Sequence, residues 1–142
     1  MTEEFPIAHA IEPLLVLNVQ TKAVRSLTGT PLGDRMVFDA VSGTFAGPRL
    51  KGLVLPTGGD WVARTPTGSR LNVRLVLETD DGIDILFEYS GRACQTASRV
   101  RIDVTGTFEA PAGTYAWLND VQTFGCGVHG PDGVCYYFYR FE

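Results

Sequence analysis

The stretch NVRLVLETDDGIDILFEYS, residues 72–90, decides the fold class. Apolar and polar residues alternate on both sides of Asp81-Gly82, a dipeptide that favours the tight turn of a β-hairpin. Alternation with a period of two puts all apolar side chains of such a strand on one face. The two apolar faces consist of Val73, Leu75 and Leu77 before the turn and Ile83, Ile85, Phe87 and Tyr89 after it.

The same pattern extends through most of the chain. Sixteen glycines and eight prolines divide it into short segments rich in Val, Leu, Phe, Tyr and Thr, which is typical of β-strands. The predicted strands are residues 14–20, 34–42, 49–55, 61–65, 71–79, 83–90, 102–109, 121–128 and 134–141. Helical periodicity is nearly absent, and the sequence predicts only single helical turns at residues 6–10 and 112–118.

The number of strands favours a closed barrel. Nine strands in 142 residues are too many for one flat sheet. Closure of the sheet removes its exposed edges, which favours a barrel over a sandwich. We therefore predict an all-β protein, a single antiparallel β-barrel of about eight to ten strands with little helix, formed by one domain over residues 1–142.

Composition and charge narrow the classes of partner. The net charge is −4 and the 12 basic residues form no stripe, so nucleic acid is not an expected partner. No apolar run approaches the roughly 20 residues of a membrane span, and the acidic N-terminus lacks a signal sequence, so we expect no membrane contact and a cytoplasmic location. Two histidines, His9 and His129, and three cysteines without CxxC spacing indicate no metal site, and the absence of nucleotide-binding motifs indicates no cofactor.

Four motifs carry a resemblance to a known family. SGTFAGPRLKGLVLPTGGDW, LNVRLVLETDDG, YAWLN and GVCYYFYRF occur in this order over residues 14–141. The chain thereby resembles the domain-of-unknown-function family numbered 3237, which implies a lipocalin-like or calycin-like β-barrel and no settled activity. Ser42 and Ala46 stand where the family pattern leads us to expect a glycine and a carboxylate. The matching motif residues are Gly43, Gly47, Pro48, Gly52, Pro56, Asp60, Trp61, Arg74, Thr79, Asp81, Gly82, Tyr115, Trp117, Leu118 and Asn119.

Asp60 and Arg74 are the candidate catalytic pair. Arg74 lies in mid-strand with Asn72 and Glu78 on the same face, and a guanidinium buried there needs an acceptor. Asp60 could be that acceptor, or the apolar wall formed by Trp61 could raise its pKa into the range of a catalytic base. In the alternative interpretation Arg74 and Glu78 belong to a solvated outer face and the apolar face fills the barrel.

The GGDW segment, residues 58–61, has two interpretations. The glycines could turn the chain so that Asp60 and Trp61 reach the mouth of a pocket. Alternatively, Asp60 caps an ordinary turn and Trp61 begins the next strand as a core anchor.

Aromatic residues supply further candidates. The connector TYAWLND, residues 114–120, could place Tyr115, Trp117 and Asn119 at one barrel end, either as ligand contacts or as a plug. Three strand tyrosines could line the cavity: Tyr89, Tyr137 and Tyr139.

The favoured function is a cofactor-independent lyase, isomerase or cyclase. Asp60, Arg74 and Asn119 would carry out acid–base chemistry on a small apolar or aromatic carbonyl or hydroxy compound, held by Trp61, Trp117, Tyr115, Tyr89 and Glu78. A binding barrel without turnover, or a filled barrel that serves dimerisation, are the alternatives. Apolar residues on both faces of the last strand predict a homodimer.

Overall fold

The computed structural model describes residues 10–131 and 133–142. Eight antiparallel strands form a closed barrel, which confirms the predicted fold class. The only helical element in the described residues is a 3-10 helix, Ala116–Asp120. The strands are β1 (Ile11–Thr30), β2 (Gly33–Ala46), β3 (Lys51–Thr65), β4 (Gly68–Thr79), β5 (Asp84–Gln95), β6 (Val100–Glu109), β7 (Gln122–His129) and β8 (Gly133–Phe141).

The barrel is a simple meander. Each strand pairs with its neighbour in the chain, and β8 closes the barrel against β1. The connections therefore alternate between the two ends. The links β1–β2, β3–β4, β5–β6 and β7–β8 lie at one end, which we call the open end. The links β2–β3, β4–β5 and β6–β7 lie at the other, which we call the closed end.

The hairpin of β4 and β5 forms as the sequence predicts. Val73 lies opposite Tyr89, Leu75 opposite Phe87, and Leu77 opposite Ile85. All of these side chains are buried inside the barrel. Alternation gives each strand two faces, and the face without charged residues packs inside the barrel.

Two of the predicted strands are parts of a single strand. Residues 49–55 and 61–65 belong to the continuous strand β3, so the predicted count of nine becomes eight. The glycines between them make a bulge rather than a reversal: pairing with β4 shifts register between Val54 and Gly58, and Gly58 has a φ of 85°. β1 is also longer than predicted, since it continues past Gln20 to Thr30.

Large aromatic side chains fill the closed half of the barrel. The Phe87 and Phe108 rings stack with centroids 4.2 Å apart, and Phe138 meets Phe87 edge-on at 5.0 Å. The 3-10 helix closes this end with the fully buried Leu118. The helical turn predicted at residues 112–118 overlaps this helix, whereas the one predicted at residues 6–10 lies outside the described residues except for Ala10.

Candidate active site

The open half of the barrel holds a cavity of about 320 Å³. Residues at the ends of strands form its mouth, among them Arg64, Gln95 and His129, which places the opening at the open end. Small and medium apolar side chains such as Ala40, Val62 and Val73 form most of the wall deeper inside. A barrel of eight strands has room for packed side chains or for one small ligand. In this barrel, side chains fill the closed half and the open half is hollow.

The bulge in β3 directs Asp60 into this cavity. After the bulge, inner and outer positions alternate, so Asp60 and Val62 line the cavity while Trp61 faces outward. A side chain at Gly58 would meet the Arg74 carbonyl oxygen at 2.1 Å, which leaves glycine as the residue that fits there. Asp60 lies opposite Val73, and Val73 lies opposite Tyr89, so these residues form one row across three strands.

Burial raises the pKa of Asp60 to about 6. A hydrogen bond donated by the Asn72 backbone N–H to Oδ1, at 3.2 Å, acts in the opposite direction and is the weaker effect. No basic side chain among the described residues forms an ion pair with this carboxylate. A carboxylic acid with this pKa is mostly ionised at pH 7 and takes up a proton readily, which suits a general base.

Two tyrosines, Tyr89 and Tyr136, line the cavity together with Asp60. The rings of Tyr89 and Tyr136 meet edge-on with centroids 5.1 Å apart. Burial, and to a smaller extent the Asp60 charge, raise the pKa of both phenols, so both remain protonated at neutral pH. The Tyr136 hydroxyl also contributes to the raised pKa of Tyr89, yet the Tyr89 hydroxyl has no partner at hydrogen-bond geometry in the described residues. A buried hydroxyl without a partner is uncommon in proteins, and this oxygen has almost no accessible surface.

Glycine at position 127 makes room for the Tyr136 ring. A side chain at Gly127 would lie 2.7 Å from Cε1 of that ring. The strand β8 therefore places Tyr136 inside the barrel and leaves Tyr137 exposed.

Comparison with known proteins identifies the family. The profile described as "Protein of unknown function (DUF3237)" matches residues 9–141. The chain belongs to the DUF3237 family. The resemblance carried by the four sequence motifs is thus confirmed.

Solved structures share the fold. A β-barrel-like protein from Acinetobacter baumannii AYE is 27% identical, with a TM-score of 0.89 over 99% of this chain and 100% of that chain. A protein of unknown function from Clostridium acetobutylicum ATCC 824 is 23% identical, with a TM-score of 0.85 over 94% and 99%. An enzyme from Penicillium herquei is 21% identical, with a TM-score of 0.78 over 99% and 100%. Comparison with curated proteins gives no match.

The DUF3237 motif residue Arg74 lies outside the cavity. Its side chain is 76% exposed, and its Nη2 lies 3.5 Å from Oε1 of Glu88 on the outer wall. The prediction that this face points inward is wrong, and the alternative of a solvated outer face is the one observed. The physical reason is alternation, since Arg74 lies between the buried Val73 and Leu75.

Trp61 and Glu78 also face away from the cavity. Trp61 is 61% exposed, because it is the outward neighbour of the inward Asp60. Glu78 follows the same outer face of β4 as Arg74. The prediction that acid and indole reach one pocket mouth together is therefore wrong for the indole.

The YAWLN motif of the family closes the opposite end of the barrel. The Asn119 side chain accepts a hydrogen bond from the Ala110 N–H at 2.7 Å and donates one to the Ala110 carbonyl at 2.9 Å. The Tyr115 hydroxyl donates to Asp81 Oδ1 at 2.8 Å. The Arg49 guanidinium stacks on the Trp117 ring at 3.8 Å. These contacts form the plug that the sequence left open as an alternative, so Asn119, Tyr115 and Trp117 do not reach Asp60.

In the cavity the structure brings together two of the predicted site residues, Asp60 and Tyr89, and adds Tyr136. Arg74 and Asn119 line a separate pocket that does not include Asp60. Sequence analysis missed Tyr136 because β8 is apolar on both faces, and it selected the outward Tyr137 and Tyr139 instead. Pairing of Tyr136 with the buried Leu17 of β1 fixes which face points inward. His129 is exposed and lies at the cavity mouth, and His9 lies outside the described residues.

The described residues contain neither a metal-ligand cluster nor a membrane-spanning helix. Residues 10–131 and 133–142 contain no group of three or more His, Cys, Asp and Glu side chains that could hold a metal ion. The described part of the chain has no helix with the length and hydropathy of a membrane span. Its three cysteines, Cys94, Cys126 and Cys135, are free thiols.

Proposed function

We propose that this protein is a cofactor-independent lyase, isomerase or cyclase that binds a small apolar or aromatic carbonyl or hydroxy compound in the cavity. The observation that carries the proposal is the Asp60 carboxylate, the only one among the described residues that line a mostly apolar cavity, whose wall also includes Tyr89 and Tyr136. Perturbed ionisable groups in a well-formed cavity are a common feature of active sites.

Asp60 acts as the general base in this proposal. At neutral pH its carboxylate is mostly ionised, because its pKa is about 6. It removes a proton from a carbon next to a carbonyl group or from a hydroxyl group of the substrate. The proton then passes from Asp60 to another substrate atom: to a different carbon in an isomerisation or cyclisation, or to the leaving group in an elimination.

In this proposal a tyrosine hydroxyl of the cavity wall stabilises the negative charge that develops on the substrate. When the base removes a proton, negative charge develops on a substrate oxygen. Tyr89 and Tyr136 both remain protonated, and the Tyr136 hydroxyl can donate a hydrogen bond to that oxygen. Within a mostly apolar cavity such hydrogen bonds are stronger than in water, which makes an enolate or alkoxide easier to form.

Two other functions compete with this proposal. A carrier barrel without turnover would use the same cavity, and the raised pKa of Asp60 favours the enzyme over it. The filled-barrel dimerisation module is disfavoured because a cavity of about 320 Å³ remains in the open half. The P. herquei enzyme has the same fold, but at 21% identity the likeness concerns the fold alone.

Exchange of substrate protons with solvent tests the proposal without knowledge of the full reaction. The protein is incubated in D₂O with a panel of neutral aromatic ketones and hydroxyketones, and deuterium uptake is measured by mass spectrometry. Removal and return of a proton by Asp60 adds one mass unit for each exchanged position. We expect the wild-type protein to accelerate uptake for a subset of the panel.

Matched variants identify the base. Asp60→Asn keeps the shape of the side chain and removes the base, so we expect loss of the exchange by at least about 100-fold. Asp84→Asn removes an exposed acid on the outer face of β5 and should leave exchange unchanged. Arg74→Gln should also leave it unchanged, because Arg74 lies on the outer wall. Equal exchange by wild type and Asp60→Asn would refute the proposal, and binding of a ketone without any exchange would favour the carrier.

A further inference from the structure

The mouth of the cavity differs in chemistry from its interior. Five inner-face residues at the rim are polar, whereas the wall beneath them is mostly apolar. They come from five strands, so the polar rim surrounds much of the opening. The rim residues are Thr21, Arg64, Ser69, Gln95 and His129.

Among the described residues, the polar rim contains basic groups and no acid. Arg64 contributes a guanidinium from β3, and His129 contributes an imidazole from β7, on a different part of the barrel wall. Among the described residues that line the cavity, the only carboxylate is Asp60, deeper inside. Neither Arg64 nor His129 forms an ion pair with a described residue. This arrangement is unlike the chain as a whole, which has 16 acidic and 12 basic residues.

Asp60 and Arg64 lie at different depths of the same wall. Both are on the inner face of β3, four positions apart in the chain. At about 3.3 Å per residue, their Cα atoms are about 13 Å apart along the strand. A ligand anion held by Arg64 would therefore stay clear of the Asp60 carboxylate, which would repel it at closer range.

We propose that Arg64, assisted by His129, anchors an anionic group of an amphipathic ligand whose apolar part extends into the cavity towards Asp60. The inference rests on the proposed function and deepens it, because it names the charge class of the compound. Such a ligand carries a carboxylate or similar group at one end. A neutral carbonyl or hydroxyl group lies roughly 10 Å away, given the spacing of Arg64 and Asp60 along β3.

Two fluorescent probes with the same ring framework test the anchor. 1-Anilinonaphthalene-8-sulfonate is anionic, and N-phenyl-1-naphthylamine lacks the sulfonate. The dissociation constant of each probe is measured for wild type, Arg64→Gln and Arg70→Gln. Arg70 is an exposed residue of β4 outside the cavity lining, so its replacement makes the same change in net charge without touching the mouth. Competition between the probes shows whether they share one site.

We expect both probes to compete for one site in the wild-type protein. Arg64→Gln should weaken sulfonate binding about five- to tenfold, the range of a charge-assisted hydrogen bond at a partly exposed site, and change binding of the neutral probe less than about twofold. Arg70→Gln should change neither. His129→Gln should weaken sulfonate binding less than Arg64→Gln does.

Three results would overturn the anchor. Equal weakening of both probes by Arg64→Gln would mean that Arg64 only shapes the mouth. Equal loss of sulfonate binding in Arg70→Gln would mean that net charge alone is responsible. Either result leaves the deuterium exchange by Asp60 intact, so it separates failure of the anchor from failure of the proposed function. If neither probe binds, the cavity takes no such ligand, and the anchor fails together with the proposed site.

Discussion

Asp60 is the side chain whose surroundings least suit its charge. In the unfolded chain its pKa is near 3.8, and in the folded protein burial raises it to about 6. Well below pH 3.8 the group is protonated in both states and contributes no penalty. As the pH rises to about 6, only the unfolded chain loses the proton readily, so the free energy of unfolding falls. Above pH 6 the penalty is fully present.

Replacement of Asp60 by asparagine should therefore stabilise the protein at neutral pH. A difference of about 2 pKa units corresponds to at most about 3 kcal/mol, so we expect a gain of about 1–3 kcal/mol for Asp60→Asn at pH 7.5 and little change at about pH 3. Urea unfolding at the two pH values measures this, with Asp84→Asn as the control that shifts neither. A variant that is less stable than wild type at pH 7.5 would contradict the burial of an ionised Asp60.

The orientation of single residues was predictable only where a strand alternates cleanly. In β4 the apolar face can be recognised from the sequence, and the outward orientation of Arg74 on the opposite face follows from that. In β3 the glycines at 58 and 59 shift the alternation, so the sequence could not tell whether Asp60 or Trp61 points inward. In β8 both faces are apolar, and the inward position of Tyr136 depends on pairing with β1.

The 3-10 helix and its flanking segment act as a structural plug. Both hydrogen-bonding groups of the Asn119 side chain bind Ala110, at the end of β6. Tyr115 binds Asp81 in the β4–β5 turn, and this bond together with that from Thr79 lowers the pKa of Asp81. The sequence is equally consistent with a plug and with a ligand site, because an amide side chain suits either purpose. Contacts between residues distant in the chain decide between them.

Loss of the Asn119 contacts should affect stability and spare the cavity. Asn119→Ala removes two hydrogen bonds and should lower the free energy of unfolding by about 1–2 kcal/mol. Binding of the neutral naphthylamine probe should be unchanged, since Asn119 lies at the closed end. Thermal unfolding and probe titration on one preparation check both statements. A stable variant that loses probe binding would show that Asn119 belongs to the site after all.

The barrel as a whole combines a filled half and a hollow half. Closure of the sheet was predictable from the number of strands and the absence of helical periodicity. The division into halves was not, because it depends on which inner positions lie in the same layer. Phe45, Phe87, Phe108 and Phe138 fall in the closed half, and smaller residues such as Ala40 and Ala93 fall in the open half.

The homodimer remains a prediction at this level. Val128, Tyr137 and Phe141 are exposed apolar residues on the outer surface of β7 and β8. We expect light scattering to give twice the chain mass of 15.5 kDa, and Val128→Lys to shift the protein towards the monomer. Leu32→Lys, at an exposed leucine of the β1–β2 turn, is the control and should leave the mass unchanged. A monomeric wild-type protein would contradict the prediction.

The ionisation of Asp60 tests the central claim most directly, because it reports whether a carboxylate is buried in the open half of the barrel. The side-chain carboxyl carbon is followed by NMR through a pH titration and assigned by its absence in Asp60→Asn. The account predicts a midpoint near pH 6 for Asp60. A midpoint near pH 4, as for a carboxylate in water, would contradict it.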